Sequence, residues 1–246
     1  MSQTALIGAL EKFDLEKVQK ILKVKPELKK LRPDKDLNLL QFTCRRFTGD
    51  DRAKANRQLR LAKWLVSEGF DPLAMHATEP EEGEEECGNV SLAWFAVAKA
   101  QNTRLARYFL QQGARGGALF AAAWWGNADI VPDLVRHGDD LNEIVGATPL
   151  HMAVDVLYRG VEGKPERARR RLKLLKEMLR LGANPNIPAF NGVTPLHLAL
   201  QKDYDVDVFK LLLKYAANPD VPGKDGRTVR EIAARKRDKR YLNALA

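Results

Sequence analysis

An internal repeat constrains the fold of this chain more than any other feature of its sequence. The stretch that begins at Gly146, Gly-Ala-Thr-Pro-Leu-His-Met-Ala, returns from Gly192 as Gly-Val-Thr-Pro-Leu-His-Leu-Ala. Each copy is followed by an amphipathic segment that ends in Ala-Asn-Pro. A unit that recurs within one chain predicts stacked copies that bury their apolar faces against one another.

Each copy also has the features of a helix start. Thr148 and Thr194 can each accept a hydrogen bond from a free amide of the first turn, and a proline follows each threonine at a position that needs no N–H. Leu150 and Ala153 then share one helical face, and the alanine lets a neighbouring helix approach closely. The repeat is therefore predicted to consist of helices.

These residues, and weaker copies around them, resemble ankyrin repeats. The resemblance implies an all-α ankyrin-repeat solenoid of about seven helix-pair units with degenerate capping units, forming a single domain over residues 1–246. It also implies that His151 and His197 hydrogen-bond the backbone between repeats. Neither histidine has a nearby second ligand in the sequence, so we do not expect them to bind a metal. The units begin near Thr4, Asn38, Ser91, Gly117, Gly146, Gly192 and Gly226.

Three segments depart from the repeat period. Residues 71–90 are predicted to be an acidic loop, because residues 79–86 contain six glutamates and no basic residue. We expect that run to be disordered or to attract a basic partner. Residues 49–58 and 157–171 are predicted to be insertions between paired helices, at the opposite edge of the stack.

Composition excludes several classes of protein. The chain has 246 residues, of which 45% are hydrophobic, so it can bury a core. Its two cysteines argue against a disulfide framework, and the lack of a basic start and of a long apolar run leads us to expect neither a secretion signal nor a membrane span. We therefore expect a cytoplasmic protein. No nucleophile–base set, phosphate-binding glycine loop or paired zinc motif appears at useful spacing, so we expect no enzyme, no cofactor and no small-molecule substrate.

Four tryptophans divide into two groups. Trp64 and Trp94 fall in apolar helical registers and are predicted to lie in the core. Trp124 and Trp125 stand at the end of an inner helix, where ankyrin repeats usually have exposed polar residues. They are either exposed anchors for a partner or covered by residues 156–158 of the neighbouring insertion. We expect at least one ring to be buried, because a bare aromatic patch is a liability for a soluble monomer.

Positive charge is dense in two segments of this chain, whose formal net charge is +9. Residues 159–173 and 224–240 each contain far more basic than acidic residues. The arginines between 167 and 171 could bind phosphates, but their helix continues as an ordinary amphipathic pattern whose polar face is basic. We therefore favour a solvated face there and do not expect nucleic acid as a partner.

The resemblance implies a binding surface. A compact ankyrin protein without an appended enzyme resembles small bacterial ankyrin proteins that neutralise a cognate toxin or enzyme. The predicted function is a non-catalytic protein-binding module, a stoichiometric inhibitor or immunity protein that is monomeric until bound and makes no membrane contact. The alternatives are a delivered effector that captures a foreign protein, and a nucleic-acid-associated factor that uses the basic edge. The residues predicted to contact the partner are Trp124, Trp125, Tyr158, Arg167, Arg169, Arg170 and Tyr204.

Overall fold

A computed structural model of the chain describes residues 2–34, 36–49, 51–77, 89–155, 165–201 and 206–246, with the backbone alone at 165–168. These residues form helix pairs that group into two compact units, residues 1–121 and residues 122–246, here called unit 1 and unit 2. The boundary between the units lies inside one helix. The fold class and the seven helix pairs expected from the sequence are confirmed.

Unit 1 contains three helix pairs. The first helix of each pair packs on the first helix of the next, and the second helices also pack in a row, which makes an inner row and an outer row. A short 3-10 helix, Pro26–Lys30, follows the first pair, and strands β1 (His76–Ala77) and β2 (Asn89–Val90) pair antiparallel between the second and third pairs. The pairs are α1 (Gln3–Glu11) with α2 (Leu15–Val24), α3 (Leu39–Cys44) with α4 (Arg52–Ser67), and α5 (Leu92–Ala98) with α6 (Thr103–Gln111).

Unit 2 continues the same alternation of inner and outer helices. Its first inner helix, α7 (Ala118–Trp125), contains the boundary between the two units, and a 3-10 turn at Ala128–Ile130 leads from it into the outer helix α8 (Val131–Arg136). The remaining pairs are α9 (Pro149–Asp155) with α10 (Pro165–Arg180), α11 (Pro195–Gln201) with α12 (Val206–Lys214), and α13 (Val229–Lys236) with α14 (Lys239–Leu245).

Short polar side chains start most of these helices. The side chains of Ser2, Asp14 and Ser91 each accept a hydrogen bond from an amide of the following turn. Asn38 forms a capping box with Gln41, in which each side chain accepts from the other residue's backbone N–H. Ser91 fixes the start of the third pair, so that α5 begins at Leu92. These caps supply partners to amides that a helix leaves without any.

The predicted insertions lengthen outer helices. Helix α4 begins at Arg52, so residues 52–58 of the segment 49–58 are helical, and residues 165–171 of the segment 157–171 form the first turns of α10. Residues 156–164 and the acidic run 79–86 lie outside the described residues. The two extra turns give α4 sixteen residues, more than the other outer helices of unit 1.

A buried polar network joins these longer elements in unit 1. The side-chain amide of Gln58 donates to the carbonyl oxygens of Thr43 at 2.8 Å and Arg46 at 2.9 Å. Asn102, which caps α6, donates from its own amide to the Gln58 side-chain oxygen at 2.9 Å. These hydrogen bonds offset the cost of burying the Gln58 and Asn102 side chains, so the network fixes α4 against α3 and α6.

The expectation that Trp64 and Trp94 lie in the core is wrong, since both are only half-buried. On α4 the buried stripe runs through Leu61 and Leu65, which places Trp64 at its margin. The Trp94 ring packs edge-on against Phe95 with centroids 5.4 Å apart, and the Lys99 ammonium lies 5.4 Å from its centre. The apolar pattern of the sequence therefore predicted the correct helix for each tryptophan but not how far its side chain is buried.

Candidate protein-binding surface

The two Thr-Pro-Leu-His stretches form matching hydrogen-bond circuits in unit 2. The Thr148 hydroxyl lies 2.8 Å from Nδ1 of His151, and the Thr148 backbone N–H also points at that nitrogen at 3.3 Å. On the other side of the ring, Nε2 lies 2.8 Å from the carbonyl oxygen of Val193 in the next repeat. A carbonyl oxygen can only accept, so Nε2 carries the proton and Nδ1 accepts from the threonine.

The second circuit repeats the first. Thr194 contacts Nδ1 of His197 at 2.8 Å, and Nε2 of His197 lies 3.3 Å from the carbonyl oxygen of Arg227. Both histidines therefore join a helix start to the loop of the following repeat, as expected from the resemblance. Burial lowers the pKa of both imidazoles below the ordinary value near 6.5, and the hydrogen bonds to the backbone oxygens partly oppose that shift. The neutral ring is the form that this arrangement requires.

Asparagines hold the loops between repeats in register. The backbone N–H of Asn184 donates to the side-chain oxygen of Asn142 at 2.8 Å, and that of Asn218 donates to Asn186 at 2.7 Å. The side-chain amide of Asn186 also donates to the carbonyl oxygen of Ala216 at 2.9 Å. Asn184 and Asn218 are the asparagines of the two Ala-Asn-Pro segments. The loops of unit 2 are therefore held in place before any partner binds.

The tryptophan pair, Trp124 and Trp125, ends the inner helix α7 at a turn where Gly126 has φ +71°. Trp124 is 38% exposed and Trp125 is 51% exposed. The expectation that at least one ring is buried is therefore wrong. The reason is the position of the pair at the last turn of α7, beyond the alanines Ala121–Ala123 that face the core.

Helix α10 lies beside this turn. A Cβ atom placed on Gly126 would be 3.8 Å from Cγ of Arg171, so the stem of that arginine packs against the turn that follows Trp125. Arg169 and Arg170, one turn or less before it, are exposed. Lys173 pairs with Asp129 at 2.6 Å, which joins α10 to the 3-10 turn after α7. The structure therefore brings the tryptophan pair and the arginines of α10 into one region of unit 2.

The remaining predicted contact residues cannot be located in the same way. Tyr158 and Tyr204 lie outside the described residues, and Arg167 is described by its backbone alone. The predicted contact set thus stays a prediction as a whole. The part that the structure describes is the tryptophan pair with Arg169 and Arg170.

Sequence reasoning missed a second apolar cluster on the loops of unit 2. Ile144, Val145 and Phe190, here called the tip patch, are 44%, 65% and 82% exposed. The backbone N–H of Phe190 donates to the carbonyl oxygen of Gly146 at 3.0 Å, so the two loop tips are neighbours. Large apolar residues near the turn glycines Gly146 and Gly192 could have indicated this cluster in the sequence. Exposed apolar clusters of this kind are typical of binding surfaces.

Comparisons with known proteins agree with this geometry. Residues 191–224 match the family model for the ankyrin repeat, and they contain the whole second Thr-Pro-Leu-His unit. Residues 191–224 are thus an ankyrin repeat, and the stacked helix pairs give the chain the ankyrin-repeat fold. No curated protein matches the chain in sequence at a significant level.

Solved structures with this ankyrin-repeat fold resemble nearly the whole chain. The human ASB11 ankyrin repeat domain is 18% identical, covers 98% of this chain and 96% of its own length, and gives a TM-score of 0.70. The Bcl-3 ankyrin repeat domain, also 18% identical, covers 98% and 97% with a TM-score of 0.68. A domain from Acinetobacter baumannii AYE is 24% identical, covers 88% and 100%, and gives 0.64. At these identities the likeness concerns the fold alone.

Ankyrin repeats in general bind other proteins through preformed surfaces and are not catalytic. None of the described helices combines the length and the apolar character that crossing a bilayer requires. Within the described part of the chain, no three potential metal ligands cluster.

Proposed function

We propose that this ankyrin-repeat protein is a non-catalytic, cytoplasmic binding module that inhibits one cognate protein, a toxin or an enzyme, by forming a stoichiometric complex. One observation carries the proposal, namely the exposure of two adjacent tryptophan rings at the end of α7. Tryptophan and arginine are the residues most often found at interface hot spots, and Arg169 and Arg170 lie near the pair. The free protein is a monomer in this proposal.

The rigidity of the scaffold supports inhibition by simple occlusion. The histidine circuits and the asparagine contacts fix the loops of unit 2 before binding. A preformed surface loses little conformational entropy on association, so its contacts contribute more fully to affinity. An inhibitor of this kind needs no conformational change and no catalytic group of its own.

The test begins with the full chain as bait in a lysate of the source organism. Bound proteins are identified by mass spectrometry, purified and titrated against the chain by calorimetry. We expect one protein to bind with one-to-one stoichiometry and to lose its activity in proportion to occupancy. A captured protein that keeps its full activity when saturated would overturn the inhibitor role.

Variants locate the site. Trp124→Ala and Trp125→Ala should each cost about 2 kcal/mol or more of binding free energy and under about 1 kcal/mol of stability, because the rings are exposed. Phe47→Ala is the control, since Phe47 is an aromatic residue of unit 1 that is 56% exposed, and it should leave binding unchanged. If both tryptophan variants bind normally, the tryptophan pair is not the contact surface.

A further inference from the structure

The outer helices of unit 1 carry cations in rows. On α2, α4 and α6 the positions opposite the buried stripe recur every third residue, and lysine or arginine occupies them repeatedly. All of these side chains are exposed. The set, here called the cationic face, is Lys17, Lys20 and Lys23 on α2, Arg57, Arg60 and Lys63 on α4, and Arg104 and Arg107 on α6.

The rows form one continuous surface. Helix α4 packs between α2 and α6, and the apolar residues of all three helices point to the inner row. Side chains three residues apart on a helix lie about 5–6 Å apart, and packed helix axes lie about 8–10 Å apart. The cations of one row are therefore neighbours of the cations of the next, at spacings comparable to the screening length of about 8 Å at physiological salt.

Contacts below the surface hold the rows in place. The buried Gln58 lies between Arg57 and Arg60 on α4 and is fixed by its hydrogen bond with Asn102 at the start of α6. At the surface, the Lys63 ammonium lies 5.3 Å from the centre of the Tyr108 ring on α6. The fold thus fixes the helices α4 and α6 that carry these cations.

Few carboxylates lie beside the rows on α2 and α4. Helix α4 contains no aspartate or glutamate, and the two carboxylates at the start of α2, Asp14 and Glu16, line one cavity with Arg57 and Arg60. Among the described residues of unit 1, no ion pair involves the rows on α2 and α4. The ion pairs that are described there join Lys29 to Glu68, Arg45 to Asp34, and Arg46 to Glu11. Aligned like charges oppose folding, so a polyanion that covered them would be bound favourably.

We propose that the cationic face binds the phosphodiester backbone of a nucleic acid without regard to base sequence. Cores of protein–protein interfaces are depleted of lysine, whereas lysine and arginine form the rows of this face, with Trp64 half-buried on α4 and Val24 exposed at the end of α2. Interfaces with nucleic acids are polar and strongly positive, and lysine and arginine contact phosphates without reading bases. Anchoring in a bilayer would need a continuous apolar stripe on this face.

This site is separate from the protein-binding surface proposed above. Residues 167–171, on which the sequence disfavoured a nucleic-acid partner, lie in unit 2 and take no part in the cationic face. The two proposals can therefore fail independently, because each has its own variants and its own ligand.

Fluorescence anisotropy of the full chain with labelled DNA of about 30 nucleotides, single-stranded and duplex, tests the proposal. The triple variant Arg57→Gln, Arg60→Gln, Lys63→Gln should bind at least about tenfold more weakly at about 0.1 M salt. The slope of its log affinity against log salt concentration should be smaller in magnitude by about two, since each lost phosphate contact reduces that slope by roughly 0.7–0.9. The matched control, Lys176→Gln, Lys210→Gln, Lys214→Gln, removes the same charge from exposed positions of α10 and α12 and should bind within about twofold of the unaltered protein.

Three outcomes would overturn the proposal. The first is no binding of either DNA by the unaltered protein at about 0.05 M salt. The second is an equal loss in both triple variants, which would mean that net charge alone governs binding. The third is tighter binding to polyglutamate, or to vesicles of equal phosphatidylcholine and phosphatidylserine, with the same dependence on the α4 row. Circular dichroism confirms that both variants are folded, as expected for substitutions at exposed positions.

Discussion

The outer helices of the two units differ in how their cations are paired. In unit 1 the rows of exposed lysine and arginine on α2 and α4 form no ion pair with a carboxylate of the described chain. In unit 2 three cations of the outer helices are paired with acids, namely Arg136 with Asp133 at 2.8 Å, Lys173 with Asp129 at 2.6 Å and Arg180 with Glu177 at 2.7 Å. The buried stripes of the same helices are alike in both units. The repeat therefore constrains the inward side of each outer helix and leaves the outward side free to differ.

The first prediction tests whether the buried faces are equivalent. Leu61→Ala in α4 and Leu175→Ala in α10 should each lower the free energy of unfolding by about 3 kcal/mol, because both leucines are fully buried. The exposed neighbours serve as controls, and Arg60→Gln or Lys176→Gln should change it by under about 0.5 kcal/mol. Urea denaturation followed by circular dichroism measures all four. A cost at Leu61 far below that at Leu175 would show that only unit 2 has a well-packed core.

The second prediction asks whether binding of the protein partner belongs to unit 2 alone. Phe190→Ala, in the tip patch, should weaken that complex by about 1–2 kcal/mol if the partner extends over the loops. Its effect on stability should be under about 0.5 kcal/mol, since the ring is 82% exposed. Calorimetry with the partner isolated as described above gives the comparison. Met75→Ala, an exposed apolar residue of unit 1, is the control, and an equal loss there would extend the contact surface to unit 1.

Much of this architecture could be predicted because its chemistry is local. The sequence Thr-Pro-Leu-His contains a helix cap, a first-turn proline and a histidine three residues from its threonine, so each circuit could be inferred from one stretch of chain. The Ala-Asn-Pro segments marked the loops in the same way. Helix pairing followed from repeating these short patterns.

The rest depends on contacts between distant residues. Gln58 and Asn102 are 44 residues apart, and the sequence around each of them does not indicate that its side chain is buried. The rows of cations repeat every third residue in the sequence, but only the packing of α2, α4 and α6 makes them one surface. The exposure of Trp124 and Trp125 likewise depends on what a neighbouring segment covers, which the pattern of α7 alone does not determine.

The third prediction concerns pH and is confined to unit 2, where the histidine circuits lie. Both imidazoles have pKa values lowered by burial, so over the interval below about 6.5 the unfolded chain takes up protons that the folded chain does not. The contribution of the two neutral imidazoles to stability is fully present above the ordinary histidine pKa. It is lost as the pH falls through their lowered pKa values. A proton on Nδ1 would also face the Thr148 N–H instead of accepting from it.

Urea midpoints measured between about pH 8 and pH 5 check this expectation. The double variant His151→Gln, His197→Gln should be less stable at high pH and should show a smaller fall toward low pH than the unaltered chain. A double variant with an unchanged slope would show that the two imidazoles do not govern acid sensitivity.

The smallest expected effect tests the charge contrast itself. Arg60→Gln removes one of three aligned cations and should raise the free energy of unfolding by about 0.2–0.5 kcal/mol, because it relieves repulsion from Arg57 and Lys63. Arg136→Gln removes the partner of Asp133 and should lower the free energy of unfolding by a similar amount, since exposed ion pairs at this spacing are weakly favourable. Both effects should vanish at about 1 M salt, where the screening length is about 3 Å. Opposite signs that converge with salt support the contrast between the units, whereas equal signs would mean that the cations of unit 1 are neutralised by groups other than those described.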